Sequence, residues 1–259
     1  MDVDISQGHH LHVRSKGEGA HATVLLHGWA LSGRVWDEVW KRWPEDLGRL
    51  VIPDQRGAGW SSKPNHGYQL ADYARDVTAL VKAMGLRSIT LVGHSMAGAV
   101  AQLAALDPEL SLGRLILVSP VPASGVPLPV EALGFFRSGA GHRATCWQVI
   151  RSAMAKDVSQ ETQDKLLSDA SSVAVESYLE GFEAWRSAAF AEHIGKIAVP
   201  TLVLGGDAEP YLPAAFLNEA VVSKIPGATF QSIPGAGHYP HVETPEAFCE
   251  IFFAALRAR

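Results

Sequence analysis

The chain has 259 residues, 47% of them hydrophobic and 19% charged, with Lys+Arg 22 against Asp+Glu 27 and a formal net charge of −5. That apolar content and length are ample for a buried core and exclude a disordered chain; the mild acidity excludes a protein built for non-specific nucleic-acid binding. Two cysteines, Cys146 and Cys249, supply neither a disulfide framework nor a Cys-x-x-Cys metal or redox spacing. The start, MDVDISQGHH, lacks the basic and apolar stretches of a secretory signal. Residues 88–106 hold no Asp, Glu, Lys or Arg, but Gly93, His94, Ser95, Gly98 and Gln102 interrupt them, so no membrane span is expected and a cytoplasmic location follows.

Residues 2–6 and 11–15 alternate around Gly8 and read as an opening hairpin. Residues 23–26 form a short buried strand ended by His27-Gly28. Residues 34–43 read as a helix, with Trp36, Val39, Trp40 and Trp43 at i, i+3, i+4 and i+7. A strand at 50–52 stops at Pro53 and leads into the Gly-rich loop DQRGAGWSSKP. An amphipathic helix follows over 70–84, then a strand at 89–92, a helix at 96–106 and a strand at 115–118. This alternation predicts right-handed crossovers and a parallel sheet covered on both faces. The rhythm breaks over 121–197, which is proline-rich at first, then helix-like, with no buried strand. It resumes with a strand at 201–204, a helix near 214–223, a strand near 229–233 and a helix from Pro245, where Thr244 is a natural N-cap. The expected division is a core of 1–120 and 198–259 interrupted by a helical insertion at 121–197.

Four stretches carry chemistry. Gly93-His94-Ser95-Met96-Ala97-Gly98 places a serine between a strand and a helix, with small residues where a tight turn brings atoms close. Such a turn lifts the Ser95 hydroxyl clear and leaves the Met96 N–H at a helix N-terminus, where it can receive an oxyanion. His238, after Pro234-Gly235-Ala236-Gly237, sits on a loop past a strand end and is the expected general base, with His241 a nearby decoy. A carboxylate between them in chain order should orient the imidazole, and the loop Gly205-Gly206-Asp207-Ala208-Glu209-Pro210 offers both Asp207 and Glu209. His27-Gly28-Trp29-Ala30 offers the Trp29 N–H as a second oxyanion donor. Asp54, in PDQRGAGW, is assigned no chemistry.

Together these segments resemble the α/β-hydrolase superfamily: HGWALSGRVW, PDQRGAGWSSKP, LVGHSMAGAVA, PTLVLGGDAEPYLP and IPGAGHYPHVETPEAFCEIF, in that order. The resemblance implies a mostly parallel eight-stranded sheet with helices on both faces and a helical cap inserted after the 115–118 strand. It implies Ser95 as nucleophile, His238 as base, and Trp29 and Met96 as oxyanion donors. The family's acid motif usually reads Gly-x-x-Asp-Pro-x-x-Pro; here Glu209 stands in the acid's place, with Asp207 in reserve. A serine at the turn, rather than an aspartate, favours acyl transfer. The expected activity is carboxylic-ester hydrolysis on a small to medium apolar substrate, with no cofactor and no metal, by a monomer or homodimer.

Of the aromatics Phe135, Phe136, Trp147, Tyr178, Phe182, Trp185 and Phe190 in the insertion, some should line the pocket and others hold helices together. Phe135 and Trp147, with Trp29 and Tyr211, are the candidates for the lining. Arg137, Arg143, Arg151 and Lys156 fall in a stretch without acidic residues. With the HGWALSGRVW start, they give a narrower similarity to pimeloyl-acyl-carrier-protein methyl esterases, which implies an acidic carrier protein as partner; His94 replaces the Trp usual in that group. The same residues would also serve a lactonase, a carbon–carbon bond hydrolase, a perhydrolase, a hydroxynitrile lyase or a ligand receptor of this fold.

Overall fold

Short apolar runs bounded by turn residues fold as strands, and the amphipathic stretches between them cover the sheet. A computed structural model describes residues 1–5 and 8–258 and places eight strands in one sheet. These are β1 (Asp2–Asp4), β2 (His10–Lys16), β3 (Ala22–Leu26), β4 (Arg49–Pro53), β5 (Ile89–His94), β6 (Leu112–Val118), β7 (Thr201–Gly206) and β8 (Thr229–Ile233). Their order is β1-β2-β4-β3-β5-β6-β7-β8. β1 pairs antiparallel with β2, and β2 with β4; every pair from β4 to β8 is parallel. The expected opening hairpin is β1 and β2, with Val3 opposite Leu11; Ser6, expected at its turn end, lies outside the described residues.

Strand side chains alternate between the two faces. Val24, Leu26, Leu91 and Leu117 pack with α2 (Leu70–Ala83) and α3 (Met96–Ala104). Leu25, Ile52, Val92 and Ile116 pack on the other face, against α1 (Asp37–Arg42) and α10 (Pro245–Arg257). Each fully buried Leu, Ile or Phe contributes about 1.5–3 kcal/mol. The helix expected over 34–43 starts instead as a 3₁₀ turn, Gly33–Trp36, because the Ser32 hydroxyl accepts from Arg34 N–H (3.3 Å) and tightens the entry. Trp36, Val39 and Trp43 are buried, whereas Trp40 is half-buried at the edge of the same cluster, beneath the Arg14 and Lys16 cations, 5.2 and 5.0 Å from its ring. α10 begins at Pro245 as expected, but the Thr244 hydroxyl does not cap it. The short helix α9 (Pro240–Glu243) precedes α10, and its Pro240 C=O takes that hydroxyl (3.2 Å).

Between β6 and β7 lie α4 (Val130–Ser138), α5 (Arg143–Ser152), α6 (Gln160–Ala170) and α7 (Val175–Arg186), with no strand among the described residues of 121–197. α8 (Ala214–Ala220) follows β7. The insertion is tied to the core by directed bonds: Trp29 Nε1–H to Tyr178 C=O (2.7 Å), Ala174 N–H to Gly57 C=O (2.8 Å) and Gly59 N–H to the Ser172 hydroxyl (3.1 Å). Its basic stretch is partly neutralised internally, Arg137 pairing with Glu183 and Arg151 with Asp157. Among the described residues no helix is long and apolar enough to cross a membrane; the stretch 88–106 divides into β5, a turn and α3.

One tie is sensitive to pH. Asp169 on α6 is buried against the core loop, 3.6 Å from Arg34. Burial pushes its carboxyl up to about 7, and Arg34 and the Ser32 hydroxyl only partly offset this. A carboxyl with a folded value above its unfolded one holds its proton better when folded, so the stability it contributes is present in acid and is lost as pH rises through about 7. Asp169→Asn removes that loss. Thermal unfolding at pH 5 and pH 8 should show the variant gaining about 1–3 kcal/mol on wild type at the higher pH and less at the lower. Equal pH slopes for the two proteins would contradict this account.

Candidate active site

The β5-to-α3 turn puts Ser95 in a conformation that side chains rarely adopt, φ 55° and ψ −122°. It is held there by its neighbours. Ser95 N–H donates to Val118 C=O (3.0 Å), and its C=O accepts from Gly98 N–H (2.8 Å) and Val121 N–H (2.9 Å). A side chain at Gly93 would collide with the Ala97 carbonyl, so only glycine lets the turn close this tightly.

His238 comes to this turn on the loop after β8. Its Nε2 is 2.8 Å from the Ser95 hydroxyl and its Nδ1 2.7 Å from Glu209 Oε2. With the proton on Nδ1, the ring donates to Glu209 and accepts from Ser95. Glu209 Oε1 accepts from Tyr211 N–H (3.0 Å) and Leu212 N–H (3.3 Å), and its carboxylate is fully buried. Burial alone pushes this carboxyl up. The His238 charge and hydrogen bond, helped by the two amides, outweigh it and hold Glu209 below the ordinary carboxylate range.

Asp207, the other candidate acid, is not brought to the imidazole. It is exposed, and its carboxylate accepts from Gly235 N–H (2.8 Å), joining the loops after β7 and β8. Glu209 lies two residues further along, where the chain turns inward and its longer side chain spans the remaining gap. The decoy His241 is fully buried on the Trp36 ring, 4.1 Å between centroids, and burial with the His238 charge pushes it down to about 3.

The Trp29 loop presses against the Ser95 turn: a Cβ on Gly28 would lie 2.8 Å from His94 Nδ1 and 3.0 Å from Ser95 Cβ. Neither Trp29 N–H nor Met96 N–H is taken by a backbone acceptor among the described residues. His27 braces this loop. Its Nδ1–H donates to Gly28 C=O (2.8 Å) and its Nε2 accepts from Gln55 N–H (2.9 Å). Asp54 organises the next loop by accepting from Gly33 N–H (2.8 Å) and Trp60 N–H (2.9 Å).

Ser95 and His238 open into a cavity walled by Trp29, Phe136, Trp185, Tyr211 and aliphatic side chains. Trp29 and Tyr211 thus stand where the sequence puts them, whereas Phe135 and Trp147 do not line the cavity. On α4 it is the next residue, Phe136, that turns inward, stacking on Phe182 at 5.6 Å while Phe135 packs edge-on beside it. On α5 the inward stripe is Cys146, Val149, Ile150 and Ala153, at i, i+3, i+4 and i+7, which leaves Trp147 about 100° away. That stripe is visible in the sequence and was the signal to follow. Trp185 is placed by α7, whose buried face carries Tyr178, Phe182 and Trp185.

Comparison with known proteins agrees with this architecture. The family model described as alpha/beta hydrolase fold matches residues 23–245. A non-heme haloperoxidase from Rhodococcus erythropolis is 28% identical over 252 residues, covering 91% of this chain and 92% of its own. Among solved structures, an esterase from Exiguobacterium antarcticum aligns with TM-score 0.90 at 22% identity, and a bromoperoxidase from Bacillus anthracis with TM-score 0.91 at 23% identity; each comparison covers 99% of both chains. The family match runs over most of the sequence and takes in the Ser95 turn, Glu209 and His238, and the chain belongs to the alpha/beta hydrolase fold family.

Proposed function

We propose that the protein is a serine hydrolase that cleaves a small to medium apolar carboxylic ester through an acyl-enzyme. The observation that carries this reading is the continuous line from the Ser95 hydroxyl through His238 to buried Glu209, opening into an apolar cavity. His238 Nε2 takes the Ser95 proton as Oγ bonds to the ester carbonyl carbon, and the carbonyl oxygen becomes an oxyanion received by the Trp29 and Met96 N–H groups. The intermediate collapses, the C–O bond to the alcohol breaks, and His238 gives its proton to the departing oxygen. Water then adds to the acyl carbon, passing a proton to His238; release of the acid returns that proton to Ser95. Glu209 keeps the imidazole in one tautomer and balances its transient positive charge. In this reading α4 to α7 act as a cap. Phe136 and Trp185 hold the apolar part of the substrate, and the lining has no Lys or Arg to stabilise an anionic one and no Asp or Glu to stabilise a cationic one.

The likeness to a protein named non-heme haloperoxidase favours one variant of the second step. Hydrogen peroxide in place of water would attack the same acyl-enzyme, releasing a peroxy acid and restoring Ser95.

Steady-state hydrolysis of a p-nitrophenyl ester series tests the reading. Ser95→Ala should lower kcat by at least about 10³-fold. Activity unchanged in that variant, or wild type inert toward every ester, would overturn it. The acid is tested separately. Glu209→Gln should lower kcat by about 10²- to 10⁴-fold, while Asp207→Asn should stay within about threefold of wild type; the reverse ranking would remove Glu209 from its role.

A further inference from the structure

His238 is fixed through its main chain as well as its ring. Its N–H donates to Ala153 C=O (2.9 Å), and its C=O accepts from His94 Nε2–H (2.9 Å). The amides on either side both donate to one carboxylate: Gly237 N–H to Glu243 Oε2 (3.0 Å) and Tyr239 N–H to Glu243 Oε1 (2.9 Å). A third amide reaches the same group from the insertion, Ala155 N–H to Oε2 at 2.8 Å. Glu243 is buried, and among the described residues these three amides, none of them a cation, are its hydrogen-bond partners. A buried carboxylate without a counter-ion is costly unless its oxygens are fully hydrogen-bonded, and α9 would bury an apolar residue at this position at less cost. The carboxylate therefore has a job beyond packing, and its geometry shows which: it gathers amides from two segments, reinforcing the direct bond of His238 N–H to Ala153 C=O. The meeting is close enough to require glycine, since a Cβ on Gly237 would lie 2.5 Å from Ala155 N and 2.9 Å from Ala153 O.

We infer that Glu243 is a positioning residue for the His238 base, tying the His238 loop to residues 153–155 of the insertion; this rests on the hydrolase reading above. The tie has a consequence for the substrate. Val149, Ile150 and Ala153 line the cavity, and Ala153 C=O also holds His238 N–H. A substrate filling the cavity therefore presses on the segment that aligns the base, so the alignment is expressed in kcat more than in KM.

Two variants test this. Glu243→Gln leaves the side-chain length but replaces one acceptor oxygen with a donor. Ala155→Pro, at an exposed position, removes the insertion's amide from Glu243, at the cost of restricting the backbone of Met154 and of residue 155 itself, so it is read together with thermal unfolding. The readouts are kcat and KM for p-nitrophenyl butyrate per site titrated with a fluorophosphonate, the rate of Ser95 phosphonylation, and thermal unfolding. Glu243→Gln should lower kcat and the phosphonylation rate together by about 10- to 100-fold with KM within about threefold, and Ala155→Pro should lower both rates by about 3- to 10-fold. If kcat per titrated site stays within about twofold of wild type while only the unfolding temperature falls, Glu243 is purely structural and the inference is overturned. If Glu243→Gln does not fold, Ala155→Pro decides by the same criterion. Wild type that takes the phosphonate on Ser95 but hydrolyses no ester would overturn the esterase reading alone, because the phosphonylation rates still report the alignment of His238. Wild type that does neither would overturn both.

Discussion

The Ser95 backbone is the constraint on which the rest of the C-terminal sheet edge depends. A residue at φ 55° and ψ −122° costs about 1–3 kcal/mol and persists only where its surroundings enforce it. The enforcement is an extension of the parallel ladder beyond the strands themselves. Ser95 N–H bonds to Val118 C=O, Ser119 N–H to Leu204 C=O (2.7 Å) and Asp207 N–H to Ile233 C=O (3.1 Å), each loop hanging from the end of the next strand. The loops bearing Ser95 and Glu209 are thereby set by sheet register, the His238 loop is tied to the second of them by Ala208 N–H to Ala236 C=O (3.0 Å), and side-chain distances of 2.8 and 2.7 Å join the three.

Electrostatics at this edge are kept simple by burial. His27, His94 and His241 all surround the site, and burial lowers each of them below the ordinary histidine range, so they act as neutral packing and hydrogen-bonding groups. His94 lies 5.1 Å from the His238 ring and His241 4.6 Å from His94, a chain of rings in which a charge on either would oppose an imidazolium at His238. The one carboxylate paired with His238 is Glu209, while Glu243 is satisfied by amides and Asp54 by the two loops it braces.

The fold was legible because its signals are local and repeated. Strand runs such as 23–26 and 89–92 and the stripe Tyr73, Val77, Leu80 and Val81 state their own period, and the glycine at 93 is dictated by Ala97 and Ala101, a few positions on, while that at 98 makes room for Pro120. The four helices between β6 and β7 were visible for the converse reason, a stretch in which the strand rhythm stops. What could not be read was whatever depends on contacts distant in sequence. Asp207 and Glu209 differ by two positions; the resemblance put Glu209 in the acid's place with Asp207 in reserve, but the residues alone left both open, because the loop after β8, some 28 residues on, decides which turns inward. Glu243 reads as an ordinary acid near a helix start until Ala155, 88 residues away, is seen to share it. The pocket aromatics failed for a subtler reason. On short helices such as α4 a one-residue error rotates the face by about 100°, and there Phe136 replaces Phe135.

The central claim is that this geometry makes one serine, Ser95, a nucleophile. Reaction with a fluorophosphonate followed by peptide mapping tests it most directly. The account predicts one adduct per chain, on the peptide containing Ser95, formed rapidly by wild type, abolished in Ser95→Ala and strongly slowed in Glu209→Gln. An unlabelled wild type, or a label on another residue that survives Ser95→Ala, would contradict it.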